Sequence, residues 1–191
     1  TPTNGTGAWS IVSGGTGTFS SAAAANATFT ADAYGVYVLR WTISNGVCTA
    51  STDDVTVTYY ESPTTADAGD DQNICASLIS AALDANTPVV GTASWSIVSG
   101  GTGSFDDNTD PNAVFTADAY GTYVLRWSIT NGTCTASTDD VTLNFYQAPT
   151  TASTGADQNH CATLTSTGLG GNTPVIGTGA WSIVSGGTGT F

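Results

Sequence analysis

Four cysteines are the residues best suited to covalent cross-linking in this sequence. They occur as Cys48 and Cys134, and as Cys75 and Cys161, and each pair is spaced by 86 residues. Metal ligation by these thiols is not expected, because the sequence has no CxxC pair and its single histidine is not repeated. Two cysteines in every 86 residues instead predict disulfide bonds and an oxidising compartment.

Acidic side chains near predicted turns form a second group, which could bind calcium. They are Asp67, Asp70, Asp71, Asp106, Asp107 and Asp110, together with the pairs Asp53-Asp54 and Asp139-Asp140. Calcium takes about six to eight oxygen ligands, which Asp-rich turns can supply. Only the two pairs recur at matching positions, and they could instead cap the last strand or face Arg40 and Arg126. No metal ligand is therefore predicted, although calcium stays an alternative that EDTA would test through the melting temperature.

The sequence offers little support for catalysis. His160 is not repeated, and neither GxSxG nor HExxH occurs. Two carboxylates in a cleft can serve a glycosidase, but small two-sheet repeats provide no obvious cleft. Spontaneous isopeptide bonds require lysine, and the chain has none. We therefore expect a protein that is not an enzyme and has no catalytic residue.

Composition points to an all-β protein. Hydrophobic residues make up 40% of the 191 residues, with 23 Gly and abundant Thr and Ser, which suits strands and turns. The net charge is −13 and the only cations are Arg40 and Arg126, so binding to nucleic acid or anionic membranes is not expected. No stretch approaches the roughly 18 apolar residues that span a bilayer. No signal peptide is visible, so the targeting information is expected to lie outside this sequence or to have been removed.

The sequence repeats itself with a period of 86 residues. Residues 7–19 return at 93–105 and at 179–191, and residues 5–60 match 91–146 at 39 of 56 positions without a gap. Such a period predicts tandem structural units. The chain also starts and stops in the same phase of the repeat, from which we expect a fragment of a longer repetitive polypeptide or part of a continuous fibre.

Alternation of apolar and polar residues places the strands. Residues 37–43 and 55–59 alternate around Asn45-Gly46, which predicts a hairpin with a tight turn. Residues 9–11, 27–29 and 78–83 are predicted as further strands. About seven strands in some 85 residues predict a two-sheet sandwich, with one Trp in the third strand and one in the sixth. The predicted core aromatics are Trp9, Trp41, Trp95, Trp127 and Trp181.

Proline-containing segments at 61–65 and 147–151 are the predicted linkers. They divide the chain into 1–62, the C-terminal part of one repeat; 63–148, a complete repeat; and 149–191, the N-terminal part of the next. Each complete repeat is predicted to be one immunoglobulin-like β-sandwich.

Several motifs resemble those of PKD-like and immunoglobulin-like repeats in large secreted surface proteins of Bacteroidota. They are Ala68-Gly-Asp-Asp-Gln-Asn-Ile-Cys75, Asn86-Thr-Pro88, Trp95-Ser-Ile-Val-Ser99, Leu125-Arg-Trp-Ser-Ile129, Asn131-Gly-Thr-Cys134 and Ser137-Thr-Asp-Asp-Val141. The resemblance covers essentially the whole chain. It implies export, tandem arrangement, and a role in adhesion, gliding-type motility or surface fibres. The third repeat has Ala156-Asp157 where the second repeat has Asp70-Asp71, so this acidic pair does not recur in every repeat.

Two disulfide connectivities are open. A bond between Cys75 and Cys134 within one domain is the simplest. Immunoglobulin topology opposes it, because Cys75 is expected where the chain leaves the domain and Cys134 where it enters. Those ends lie roughly 25–30 Å apart, whereas a disulfide needs Cα atoms within about 7 Å. Bonds between consecutive domains or neighbouring chains are the alternative.

The expected function is structural, as a segment of an extracellular repetitive fibre or adhesin stalk on a bacterial surface. Its expected partners are adjacent repeats of the same polypeptide or copies of itself in a filament. A rival is a binding module in which loop 106–111, which diverges between repeats, recognises surface glycans. A third possibility is a set of accessory domains of a larger secreted enzyme.

Overall fold

The computed structural model describes residues 4–191, and this part of the chain contains twelve β-strands and no helix. The predicted all-β class is therefore confirmed. The chain forms two compact units. The first comprises Thr1–Asp67, Asn86–Ser94 and Trp127–Asp139, and the second comprises Ala68–Ala85, Trp95–Arg126 and Asp140–Phe191. The described residues include no helix long and apolar enough to cross a membrane.

The first five strands build two small sheets. They are β1 (Thr6–Ser13), β2 (Gly17–Phe19), β3 (Phe29–Ala31), β4 (Gly35–Ser44) and β5 (Ser51–Tyr59). One sheet has the order β1-β4-β5, and the other pairs β2 with β3. Within β4 the side chains alternate between faces, and Tyr37 and Leu39 are buried. Trp41 of the same strand lies opposite Trp9 of β1.

The next seven strands build the complete sandwich. They are β6 (Gln72–Cys75), β7 (Ile79–Ala82), β8 (Thr92–Ser99), β9 (Gly103–Phe105), β10 (Val114–Ala117), β11 (Gly121–Thr130) and β12 (Ser137–Tyr146). One sheet has the order β7-β10-β9 and the other the order β6-β12-β11-β8. This is the strand order of an immunoglobulin-like fold, in which the second, fifth and fourth strands form one sheet.

The faces of these two sheets meet in an aromatic core. Phe115 of β10 lies with its ring centroid 5.4 Å from that of Tyr123 in β11 and 6.3 Å from that of Phe145 in β12. The three rings come from strands of different sheets, so burying them holds the sheets together. Other side chains that are fully or almost fully buried include Leu83, Trp95, Leu125, Trp127, Ile129, Val141 and Leu143.

The strand positions follow the sequence period. Adding 86 to the bounds of β1, β2 and β4 gives the bounds of β8, β9 and β11. The short strands β2 and β9 and the first strand β6 were not predicted. The sandwich has seven strands, with Trp95 in its third and Trp127 in its sixth, as predicted.

The connection between β4 and β5 is longer than the predicted tight hairpin. A turn forms at Asn45-Gly46, where Cys48 N donates to the oxygen of Asn45 at 3.1 Å. Gly46 has a left-handed φ of 58°, as the prediction required. Six residues, 45–50, nevertheless separate the two strands, so the turn is one part of a wider loop.

Candidate functional site

One candidate site is the joint where the chain leaves β5 and meets the turn between β11 and β12. Asn131 donates a hydrogen bond from Nδ2 to the main-chain oxygen of Glu61 at 2.9 Å. Gly132 has a left-handed φ of 57°, and the Tyr60 ring lies so close that a Cβ there would collide with it. The Asn131-Gly132 pair, which stands one repeat after the predicted hairpin turn Asn45-Gly46, therefore also fixes the linker. The sequence offered no signal for this second role.

A second candidate site is the ladder between the first and last strands of the sandwich. β6 runs parallel to β12, with Gln72 opposite Leu143 and Cys75 opposite Tyr146. Further hydrogen bonds extend the ladder at both ends. Thr142 N donates to Asp71 Oδ1 at 2.7 Å, and Ala76 N donates to Tyr146 O at 2.8 Å. The two strands at which the chain enters and leaves the sandwich are therefore bonded to each other.

Cys75 lies at the end of this ladder and Cys134 at the joint, and none of the four cysteines forms a disulfide bond among the described residues. Of the two connectivities that the sequence left open, the bond between Cys75 and Cys134 is not formed. Cys75 is in register with the last residue of β12, whereas Cys134 precedes the first, so the ten-residue strand separates them. Cys134 Sγ lies 3.3 Å from the oxygen of Glu61 and 3.7 Å from that of Tyr60. Bonds between consecutive domains or neighbouring chains stay a prediction.

The two arginines form ion pairs, as the structural interpretation predicted. Arg126 donates from Nε and Nη2 to both carboxylate oxygens of Asp140, at 2.7 and 2.8 Å. Arg40 makes the same two-pronged contact with Asp54, directly opposite on β5. These hydrogen bonds, with the charge attraction, lower the pKa of both carboxyls and raise the pKa of both guanidiniums. Each arginine therefore links two strands on the outer face of a sheet.

The divergent acidic loop is organised by its own hydrogen bonds. Asp106 Oδ1 accepts from the main-chain nitrogens of Asp107 and Val114, both at 2.8 Å. Asp107 Oδ1 accepts from the hydroxyl and the nitrogen of Thr109, which lowers the pKa of Asp107. The described residues contain no group of three or more His, Cys, Asp or Glu side chains arranged to hold a metal ion. The single His160 contacts Gln158 Oε1 at 2.9 Å.

The five tryptophans, predicted as core residues, differ in environment. Trp95 and Trp127 are buried, and Trp95 Nε1 donates to the oxygen of Asp110 at 3.1 Å. Trp9 and Trp41 are half-buried, with their ring centroids 5.1 Å apart. Trp181 is 45% exposed and lies in a segment without strands.

Comparison with known proteins adds only distant structural likenesses. No protein-family model and no curated protein sequence matches the chain. A PKD domain from the KIAA 1837 protein, solved in solution, is similar over 44% of this chain and 87% of its own, at 20% identity and a TM-score of 0.36. The extracellular domain of protocadherin GammaB4 is similar over 81% of this chain and 30% of its own, at 10% identity and a TM-score of 0.35.

Mouse cadherin-23 EC22-24 is similar over 78% of this chain and 56% of its own, at 10% identity and a TM-score of 0.32. The chain thus spans less than two thirds of both cadherin chains. Because these TM-scores lie below 0.5, the likenesses carry no conclusion about function.

Proposed function

We propose that this chain is a structural segment of an extracellular repetitive fibre or adhesin stalk on a bacterial surface, and that it is not an enzyme. In this proposal residues 63–148 form one complete repeat, flanked by parts of its neighbours at 1–62 and 149–191. Each repeat adds about 40 Å to the length if its strands lie along the axis. Its partners are adjacent repeats or further copies of the chain.

The parallel pairing of β6 with β12 is the observation that carries the proposal. Force on a stalk would pull the chain entering β6 in one direction and the chain leaving β12 in the other. Because the two strands run in the same direction, this force loads all their hydrogen bonds together in shear. A hairpin pulled at its two ends would instead open one bond at a time. The sandwich therefore has the connectivity that suits a tension-bearing element.

The joint supports the same proposal. A stalk requires linkers that hold consecutive units in a fixed direction, and the Asn131 side chain binds the linker at Glu61. The Tyr60 ring packs on Gly132 at the same place. Contacts of this kind restrict bending, whereas a free Gly/Ser linker behaves as a flexible coil.

Negative-stain electron microscopy of the native material, together with a glycan array, tests the proposal. We expect unbranched filaments and no glycan binding. The matched control for the array carries the first-repeat sequence Ser-Ser-Ala-Ala-Ala-Ala in place of residues 106–111. Glycan binding that disappears in this control, with no filaments in the images, would establish the rival function of a surface-binding module.

A further inference from the structure

The joint at Glu61 contains a dipeptide that can change chemically without an enzyme. Asn131 is followed by Gly132. An Asn-Gly step is the least hindered setting for attack of a main-chain nitrogen on the preceding side-chain amide, because glycine has no Cβ. Asparagine is also one of the residues that limit the chemical stability of proteins on heating. The side chain that holds the linker is therefore one whose amide can be lost spontaneously.

The reaction is deamidation, and it consumes only water. The main-chain nitrogen of Gly132 loses its proton and attacks Cγ of Asn131, while Nδ2 takes up a proton and leaves as ammonia. The product of this step is a cyclic succinimide. Water then opens the ring at either of its carbonyls and gives aspartate or isoaspartate, in which the main chain runs through Cγ. Ammonia is exchanged for water overall, so no oxidant, reductant or cofactor takes part.

A hydrogen bond opposes the loss of this amide in the folded chain. Asn131 Nδ2, the atom that leaves as ammonia, donates to the main-chain oxygen of Glu61 at 2.9 Å. The bond holds the side chain in one orientation, and it must break before Nδ2 departs. Because breaking such a bond costs free energy, we expect this contact alone to slow the reaction about fivefold.

The turn that contains Gly132 is held in place as well. Cys134 N donates to the oxygen of Asn131 at 3.1 Å, which closes the turn. The Tyr60 ring lies against Gly132, where a Cβ would collide with it. Closure of the succinimide ring requires the Gly132 nitrogen to move onto Cγ of Asn131. The turn hydrogen bond and the Tyr60 ring both restrict this motion.

Neither product of the reaction fits the closed joint. The carboxylate of aspartate has only acceptor oxygens, so it cannot donate to the Glu61 oxygen and faces that oxygen with a negative charge. Isoaspartate lengthens the main chain between positions 131 and 132 by a carbon atom, which moves Gly132 out of its contact with the Tyr60 ring. Both products therefore release the linker.

We propose that Asn131 is a deamidation site that works as a one-way release of the joint. The closed joint protects the amide, and loss of the amide frees the linker at Glu61. A joint that is pulled or bent open loses its protection, deamidates faster and then stays loose, because the ammonia that has left is not put back. This role in a stalk rests on the proposed function, whereas the chemistry at Asn131 does not.

The same dipeptide stands one repeat earlier and supplies an internal reference. Asn45-Gly46 forms the matching turn, with a φ of 58° at Gly46 and a 3.1 Å hydrogen bond from Cys48 N to the oxygen of Asn45. Asn45 is exposed, and the described residues leave open space around the place of a Cβ on Gly46. In the 191-residue chain, Asn45 therefore has the same chemistry as Asn131 without the contacts of the joint.

Deamidation rates in the 191-residue chain test the protection. The folded chain is kept in mildly alkaline buffer, and peptide mapping by mass spectrometry follows Asn45 and Asn131 with time. We expect Asn131 to react about fivefold more slowly than Asn45. In urea, where the joint is absent, we expect the two rates to agree, because both residues precede glycine. Equal rates in the folded chain, or the same difference in urea, would overturn the proposal.

Two variants of Tyr60 measure the contribution of its ring. Tyr60→Ala removes the ring from Gly132 and should raise the deamidation rate of Asn131 towards that of Asn45. Tyr60→Phe keeps the ring and should leave the rate at Asn131 unchanged. Hydrogen exchange of the strands β6–β12 checks that both variants keep the sandwich. The same rate at Asn131 in both folded variants would contradict protection by the ring.

Release of the linker is measured at Glu61 itself. Asn131→Asp copies one product of the reaction, so cleavage after Glu61 by a glutamyl endopeptidase should become about fivefold faster. Asn45→Asp adds the same charge to the matching turn and should leave this cleavage unchanged. In the unaltered chain, the cleavage rate should rise with the deamidated fraction of Asn131. Cleavage after Glu61 that is unaffected by Asn131→Asp would overturn the release.

The outcomes for the joint and for the stalk are distinguishable. Electron micrographs without filaments would contradict the proposed function and leave the protection of Asn131 intact. Unprotected deamidation at Asn131 would overturn the release and leave the proposed stalk standing, because a stalk does not require joints that open chemically.

Discussion

Val55 and Val141 occupy the same position of the repeat, but Val55 is 44% exposed and Val141 is completely buried. The same substitution should therefore have different effects at the two sites. Val141→Ala should lower the free energy of unfolding by about 2 kcal/mol, through lost apolar burial and the cavity it leaves. Val55→Ala should change it by less than about 0.5 kcal/mol. Urea unfolding checks both values.

Equal costs at the two positions would contradict the difference in burial between Val55 and Val141.

The close packing around Gly103 explains why the last position of the recurring Ser-Gly-Gly-Thr-Gly motif is a glycine. A Cβ at this position would collide with the ring of Phe115 and the oxygen of Thr116. Gly103→Ala should therefore destabilise the sandwich by about 2 kcal/mol. Gly168 has open space around its Cα and stands where the complete sandwich has Ala82, so Gly168→Ala is the matched control. Thermal melting should show a lower melting temperature for Gly103→Ala and an unchanged one for Gly168→Ala.

The ion pair between Arg126 and Asp140 should give a pH-dependent coupling. Both side chains are more than a third exposed, so the coupling is small and screened by salt. Because the folded-state pKa of Asp140 is lowered, the contribution is fully present above the ordinary Asp pKa of about 4. The stabilising contribution of the ion pair is lost as the pH falls through the lowered pKa of Asp140 in the folded protein.

A double-mutant cycle with Arg126→Gln and Asp140→Asn measures this coupling. A coupling that grows below pH 4, or that is insensitive to salt, would disagree with the proposed electrostatic origin.

The joint can be probed at Glu61, which is the only glutamate in the sequence. A glutamyl endopeptidase therefore reports how often the linker opens. Asn131→Ala removes the hydrogen bond to Glu61 and should raise the cleavage rate about fivefold, equivalent to roughly 1 kcal/mol. Asn45→Ala, in the matching turn of the first repeat, serves as the control. Equal cleavage rates would show that Asn131 does not hold the linker.

The sequence predicted the parts of the fold that follow from periodicity. The alternation in 37–43 placed β4, and the spacing of Trp95 and Trp127 placed both in the core strands that were expected. The matching arginine and Asp-Asp positions predicted the ion pairs, because a lone cation on a sheet face requires a partner.

Other features depend on tertiary contacts that no local pattern reveals. β6 is four residues long, and its pairing with β12 joins residues about 70 positions apart. The contact of Asn131 with Glu61 likewise joins distant residues, so an Asn-Gly signal indicated only the turn. The exposed state of Val55 depends on which strands are nearby, and the sequence of β5 does not contain that information.

Single-molecule force spectroscopy, pulling the chain from its two ends, tests the tension-bearing role most directly. We predict one abrupt unfolding event for the sandwich of β6–β12, with a length gain on the order of 30 nm for its 86 residues. Its unfolding force should fall when Asp71→Ala removes the bond to Thr142, because that bond shares the shear load. Gradual extension at low force without a discrete step would contradict the proposed stalk function.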